Sequence, residues 1–202
     1  EELFEITPAS KNTILVNGVG IALGSSLDTT ESVCVDGVPG IRLVATSAMG
    51  TMRDGPAADF CGRVVLLLPE RAFLIVDRAV LPHAGRIESR MFSPVDVDAY
   101  QTTALLKGSG ETMRVAYACS VPGLLKTAVT APTSPMQPSH TMLRWCTRSQ
   151  HTSMTMATLL EPGRSAASVS VALEAGGIAA EASGKGWSRS VCLTGQLPPR
   201  RS

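Results

Sequence analysis

Nowhere in 202 residues do apolar side chains keep helical spacing for about twelve positions, while short β-prone runs closed by Gly, Pro, Asn or Asp recur from end to end. Asn12-Thr13-Ile14-Leu15-Val16 stops at Asn17-Gly18, and Val33-Cys34-Val35 stops at Asp36-Gly37. Ile41 to Thr46 follows Val38-Pro39-Gly40. The most informative pair comes next: the apolar run Arg63 to Leu68, the turn Pro69-Glu70-Arg71, and the apolar run Ala72 to Asp77. Two such runs around a short turn predict a hairpin in the middle of a sheet. Arg86 to Phe92 and Thr112 to Cys119 alternate in polarity, as strands with one solvated face do. Further strands are expected at Thr141 to Cys146, Ser153 to Leu160, Ser168 to Leu173, Ile178 to Ala182 and Trp187 to Leu193. Pro122 to Ala128 reads as one short helical turn at most, and Thr130 to Ser139 as a loop by composition. About a dozen short strands with one apolar face each imply two packed antiparallel sheets, with a barrel as the alternative. The expectation is an all-β chain, a large antiparallel β-sandwich, organised as a single domain over residues 1–202.

Composition supports that size of core: 44% of residues are hydrophobic but only 4% aromatic, so aliphatic side chains and Met must fill it. A chain this long buries roughly 70% of its extended surface and needs no metal or disulfide to hold together. The five cysteines, Cys34, Cys61, Cys119, Cys146 and Cys192, show no ligand-pair spacing, which argues against structural zinc. Buried free thiols are the simplest reading; one or two disulfides in an exported protein are the other. Eighteen basic residues face seventeen acidic ones, and no Lys/Arg stripe or basic run stands out, so nucleic acid is not an expected partner. Nor does any apolar run reach the ~20 residues of a membrane span. Fourteen of the eighteen cations are Arg, which suits bidentate contacts to carboxylate or sulfate.

Taken in order, three segments resemble a known family. Lys11-Asn12-Thr13-Ile14-Leu15-Val16-Asn17-Gly18-Val19-Gly20 is similar to the "HNT-(hydrophobic)-V-x-G-x-G" segment of heparinase II/III-like polysaccharide lyases. The stretch from Gly62 to Arg78 resembles that family's hairpin ending in "vvDr", and Met156 to Pro162 its "f-x-T-l-l-x-P" strand. The resemblance runs over roughly residues 8–175. It implies the C-terminal β-sandwich region of a larger protein, whose N-terminal α-helical toroid supplies most of the cleft and the Tyr, His and Asn for β-elimination at a uronic acid. The implied partners are that toroid and an acidic polysaccharide, and the implied location is periplasmic or secreted. Such β regions often hold zinc. Here Lys11 replaces the histidine of the motif, and a protonated amine is a poor zinc ligand. No cofactor is therefore expected on this chain, and zinc in the parent is doubtful.

Candidate substrate-binding residues are Lys11 and Asn12, where the family approaches its cleft, and Arg86 and Arg90. If the two arginines share a strand, they share a face and make a cationic patch. No catalytic or metal-binding residue is assigned, and the chain is not expected to be active alone. His83 reads as an exposed loop histidine, Tyr117 as a packed sheet residue, and Trp145 and Trp187 as buried. Gly18 and Gly20 lack the following Lys-Ser/Thr or helix of a nucleotide loop. The main reading is one wall of a lyase cleft. The alternatives are a non-catalytic carbohydrate-binding module, with aromatic side chains on an exposed face, and a structural or interaction sandwich.

Overall fold

The structure is a computed structural model describing residues 12–22, 24–52, 55–130, 140–163, 165–174 and 177–197. The described residues form seventeen strands, more than the dozen expected. The first five are β1 (Ile14–Val16), β2 (Thr29–Val35), β3 (Val38–Val44) and the two-residue β4 (Thr51–Met52) and β5 (Gly55–Pro56). The hairpin follows as β6 (Phe60–Leu67) and β7 (Phe73–Gly85), then β8 (Ile87–Ser93), β9 (Asp96–Tyr100), β10 (Thr103–Lys107) and β11 (Thr112–Cys119). The remainder are β12 (Gly123–Thr130), β13 (His140–Thr147), β14 (His151–Pro162), β15 (Ser168–Glu174), β16 (Gly177–Gly184) and β17 (Trp187–Leu193).

These strands form an eight-stranded sheet in the order β2-β3-β6-β7-β14-β11-β10-β9, a four-stranded sheet β1-β8-β13-β12, a three-stranded sheet β15-β16-β17, and the small pair β4-β5. Every named pairing is antiparallel. Each sheet is open, so the architecture is sandwich-like and not a closed barrel. It has three layers. One core lies between the eight- and three-stranded sheets and joins Val64, Leu66, Leu74, Val76 and Leu159 to Ile178, Ala180, Val191 and Leu193. The other lies beneath the four-stranded sheet and joins Ala79, Leu81, Met154, Met156 and Tyr117 to Ile14, Val16, Ile87, Leu143 and Trp145.

This layering explains the sequence of the middle strands. A strand covered on both faces needs apolar side chains at successive positions. Residues 74, 76–81 and 154–159 are accordingly buried on β7 and β14. Strands with one wet face alternate instead, as Leu143, Trp145 and Thr147 do on β13.

The expected hairpin is present, with Arg71 at φ 62 in the connection, closed by Leu68 and Ala72 through a 2.9 Å hydrogen bond. The Asn17-Gly18 and Asp36-Gly37 turns both have two successive positive φ values, the geometry of a tight two-residue hairpin turn.

One local expectation is corrected, and β3 begins three residues before the expected run, at Val38 directly after the Asp36-Gly37 turn. Pro122 to Ala128 is no helical turn: from Gly123 onward it is the edge strand β12, paired with β13 along its whole length. Its exposure hid it, since an edge strand buries too little to show strong alternation. Gly123 is required there, because a Cβ would stand 2.3 Å from Trp145 Nε1. Only the first residue of the expected Thr130 to Ser139 loop is described, and it ends β12.

Past the margin of the four-stranded sheet, the corresponding face of β3, β6 and β7 is open. Ile41, Leu67 and Phe73 are 48%, 47% and 40% exposed there. No helix among the described residues is long and apolar enough to cross a membrane.

Truncating Leu159, which is fully buried under the three-stranded sheet, should cost about 2–5 kcal/mol as Leu159→Ala. The 73%-exposed Val129 should lose under about 0.5 kcal/mol as Val129→Ala. Urea denaturation of both variants checks this, and equal losses would contradict the layered core.

Candidate functional site

The four-stranded sheet turns one face to the core and the other outward, and its charges obey that alternation. Ile87, Ser89 and Ser93 are buried on β8, so Glu88 and Arg90 point away from the core. Leu143 and Trp145 are buried on β13, which places Arg144 outward. Register then sets Arg90 opposite Arg144, and Arg144 opposite Lys126 of β12. Arg86 precedes β8 and Arg148 follows β13, both exposed. Across these four strands and the two flanking positions stand five cations, Arg86, Arg90, Lys126, Arg144 and Arg148, and a single carboxylate, Glu88. In a chain of net charge +1, this is a locally basic face.

Glu88 is its organising acid. It accepts from Arg90 Nε and Nη2 at 3.1 and 2.9 Å, and lies 3.8 Å from Arg144 Nη1. Among the arginines named in advance, Arg90 is a strand residue with its side chain 13% exposed. Arg86 sits in the tight connection one residue before the strand, where its N–H donates to Asn17 Oδ1 at 2.8 Å. Asn12 is exposed and joins two elements: its Oδ1 accepts from Phe92 N–H at 2.7 Å, and its carbonyl accepts from Arg63 Nη1 at 2.8 Å. Lys11 lies outside the described residues. Arg144 and Lys126 were not anticipated. Alternation around Leu143 and Trp145 would have exposed the first, whereas Lys126 was hidden in the segment read as a turn.

Beneath Asn12, a pocket of about 220 Å³ is lined by Ile14, Leu43, Ala45, Cys61 and the ion pair Arg63–Asp77. Arg63 and Asp77 are directly opposed on β6 and β7, with Nε–Oδ1 2.6 Å and Nη2–Oδ2 3.0 Å. Burial pulls the guanidinium of Arg63 down, but the charge and hydrogen bonds of Asp77 outweigh it and the net shift is upward. The Cys61 thiol beside them is pushed up to about 12, chiefly by burial and secondly by Asp77, so it stays protonated near neutrality. The next residue on β7, Arg78, faces the other core and donates to Thr155 Oγ1 at 2.7 Å; burial lowers its pKa.

The residues best suited to acid–base work do not converge. Tyr117 is buried, stacks on Trp145 with ring centroids 6.1 Å apart, and has its acidity weakened by burial and then by Asp77. Trp187 is half-buried and donates to Glu161 Oε1 at 2.9 Å. His83 is exposed on β7, and His151 sits 3.0 Å from Ser149 Oγ. Among the described residues, no three His, Cys, Asp or Glu side chains stand together as a metal-binding group. All five cysteines are free, with Cys34 and Cys192 exposed.

No protein-family model matches the chain, and no curated protein matches it in sequence. Solved structures do match in fold. The heparan sulfate lyase HepC from Pedobacter heparinus aligns over 94% of this chain and 31% of its own, with a TM-score of 0.67 and 10% identity. A heparinase III aligns over 91% of this chain and 29% of its own, with a TM-score of 0.67 and 14% identity. A further heparinase III gives a TM-score of 0.65 at 14% identity, over 91% and 30% of the two chains. The chain thus shares the fold of the β-sandwich region of heparinase III-like proteins and spans under a third of their length.

Two measurements check the site. Asp77→Ala leaves the Arg63 guanidinium without its carboxylate and should destabilise by about 3–5 kcal/mol in chemical denaturation. A change within about 0.5 kcal/mol would show that the pair is not structural. A thiol reagent at neutral pH should label Cys34 and Cys192 rapidly and Cys61 only on unfolding. Prompt labelling of Cys61 in the native protein would contradict its burial.

Proposed function

We propose that this chain is the non-catalytic β-sandwich part of a larger, exported, heparinase III-like protein. In this reading its basic sheet face engages an acidic polysaccharide. The groups that perform β-elimination come from elsewhere in the parent, from a helical toroid of the kind that the resembling family carries. The observation that carries the proposal is the fold likeness, which takes in 91–94% of this chain yet only 29–31% of the lyases.

Chemistry supports the division of labour. β-Elimination at a uronate needs its carboxylate neutralised, a base for the C5 proton and an acid for the departing oxygen. The basic face offers the first of these. Tyr117, the buried tyrosine, is committed to packing and made less acidic, and the other tyrosine, Tyr100, is 72% exposed on the outlying β9. Binding without turnover is therefore the function that this geometry supports best. A purely structural role is the second reading, favoured by the uncovered apolar strip of Ile41, Leu67 and Phe73.

Calorimetric titration separates the two. The chain should bind heparan sulfate oligosaccharides with affinity that falls as salt is added, ignore neutral dextran, and release no unsaturated uronate from either. Absence of binding to every acidic polymer would favour the structural reading, and elimination by the chain alone would overturn the non-catalytic assignment.

A further inference from the structure

The cations of the small sheet form a line. Arg90, Arg144 and Lys126 occupy directly opposed positions on three adjacent strands. With strands about 4.8 Å apart, the line crosses the sheet over roughly 10 Å at right angles to the strands. Like charges in directly opposed positions destabilise a strand pair, so this row works against the fold. Glu88 relieves one end of it by engaging Arg90, and reaches Arg144 only at 3.8 Å. At the other end, Lys126 is exposed on an edge strand and makes no ion pair with a described residue. The uncompensated charge increases from Arg90 through Arg144 to Lys126.

We infer that this row is a track for a linear polyanionic polysaccharide laid across the strands. Arg144 and Lys126 hold its anionic groups, and Glu88 tempers the affinity by occupying Arg90. Arg144 supplies the planar fork suited to sulfate or carboxylate, and Lys126 a mobile point charge. The occupant is a polysaccharide and not a nucleic acid, because the outward positions of β8, β12 and β13 hold only two aromatic rings, the half-buried Phe92 and His140, where single-stranded bases would need a succession of stacking platforms. The inference rests on the reading that the basic face binds acidic polysaccharide. It adds the residues that do so, the direction of the chain, and a trade between binding and stability.

That trade is what the test reads. Lys126→Thr and Arg144→Thr remove a repelling charge and place a β-favouring residue in the strand. Each should weaken heparan sulfate binding roughly threefold to tenfold and flatten its salt dependence, while the thermal midpoint stays level or rises. Glu88→Gln, which removes the tempering carboxylate, should tighten binding. Lys185→Thr, in the exposed turn between β16 and β17, should leave it unchanged. A sulfate-free polyuronate titrated in parallel assigns the group held, since a loss on either polymer supports the track and names its source. If the unaltered chain binds but both threonine variants bind equally well, or lose binding only together with thermal stability, the track is wrong and the wider reading stands. Failure of the unaltered chain to bind any acidic polymer overturns the wider reading itself. Single-stranded DNA of equal charge bound as tightly through the same residues would overturn the choice of ligand.

Discussion

The eight-stranded sheet has to be covered on both sides, and much else in the molecule follows from that. Its middle strands carry apolar side chains at consecutive positions, and left bare on either face they would expose a broad hydrophobic surface. The four-stranded sheet closes one side and the three-stranded sheet the other. Even the charges placed among these strands obey the rule. Asp77 and Arg78 are neighbours on β7 and point to opposite faces, and each finds its partner on an adjacent strand, Arg63 in one case and Thr155 in the other.

The same alternation that builds the cores gives the small sheet its outward character. Leu143 and Trp145 face inward, so Arg144 between them must face outward, and Arg90 and Lys126 join it through register alone. The cover that protects the middle sheet is thereby also its charged surface. Function, on this view, needs no groove cut into the domain; it uses the side of a sheet that stability leaves over.

Much of the architecture was legible because turns and β-branched runs are local signals. The β6–β7 hairpin, the Asn17-Gly18 and Asp36-Gly37 turns, and most later strands follow directly from them. The resemblance carried by Lys11 to Gly20, Gly62 to Arg78 and Met156 to Pro162 points to the fold that the solved lyases share. What stayed hidden is what depends on pairing between distant segments. A third layer cannot be read from one strand at a time, and neither can β12, whose weak burial leaves its alternation faint. Arg86 and Arg90 were found as sequence neighbours, but Arg144 and Lys126 come together with Arg90 only once β8, β13 and β12 lie side by side. The pairing of Arg63 with Asp77, by contrast, lay within reach, because the register of the expected β6–β7 hairpin sets its two outer ends opposite one another.

The two tryptophans divide between the two interiors. Trp145 belongs to the core under the four-stranded sheet, stacked on Tyr117 and overlain by Gly123, while Trp187 packs against the core on the far side with its indole N–H on Glu161. Each half of the sandwich therefore contains its own intrinsic fluorophore, one in an almost dry setting and one beside a carboxylate and partly wet. Emission from the two reports separately on each interior, so peeling away one outer layer while the other holds would leave a spectral trace without any added dye.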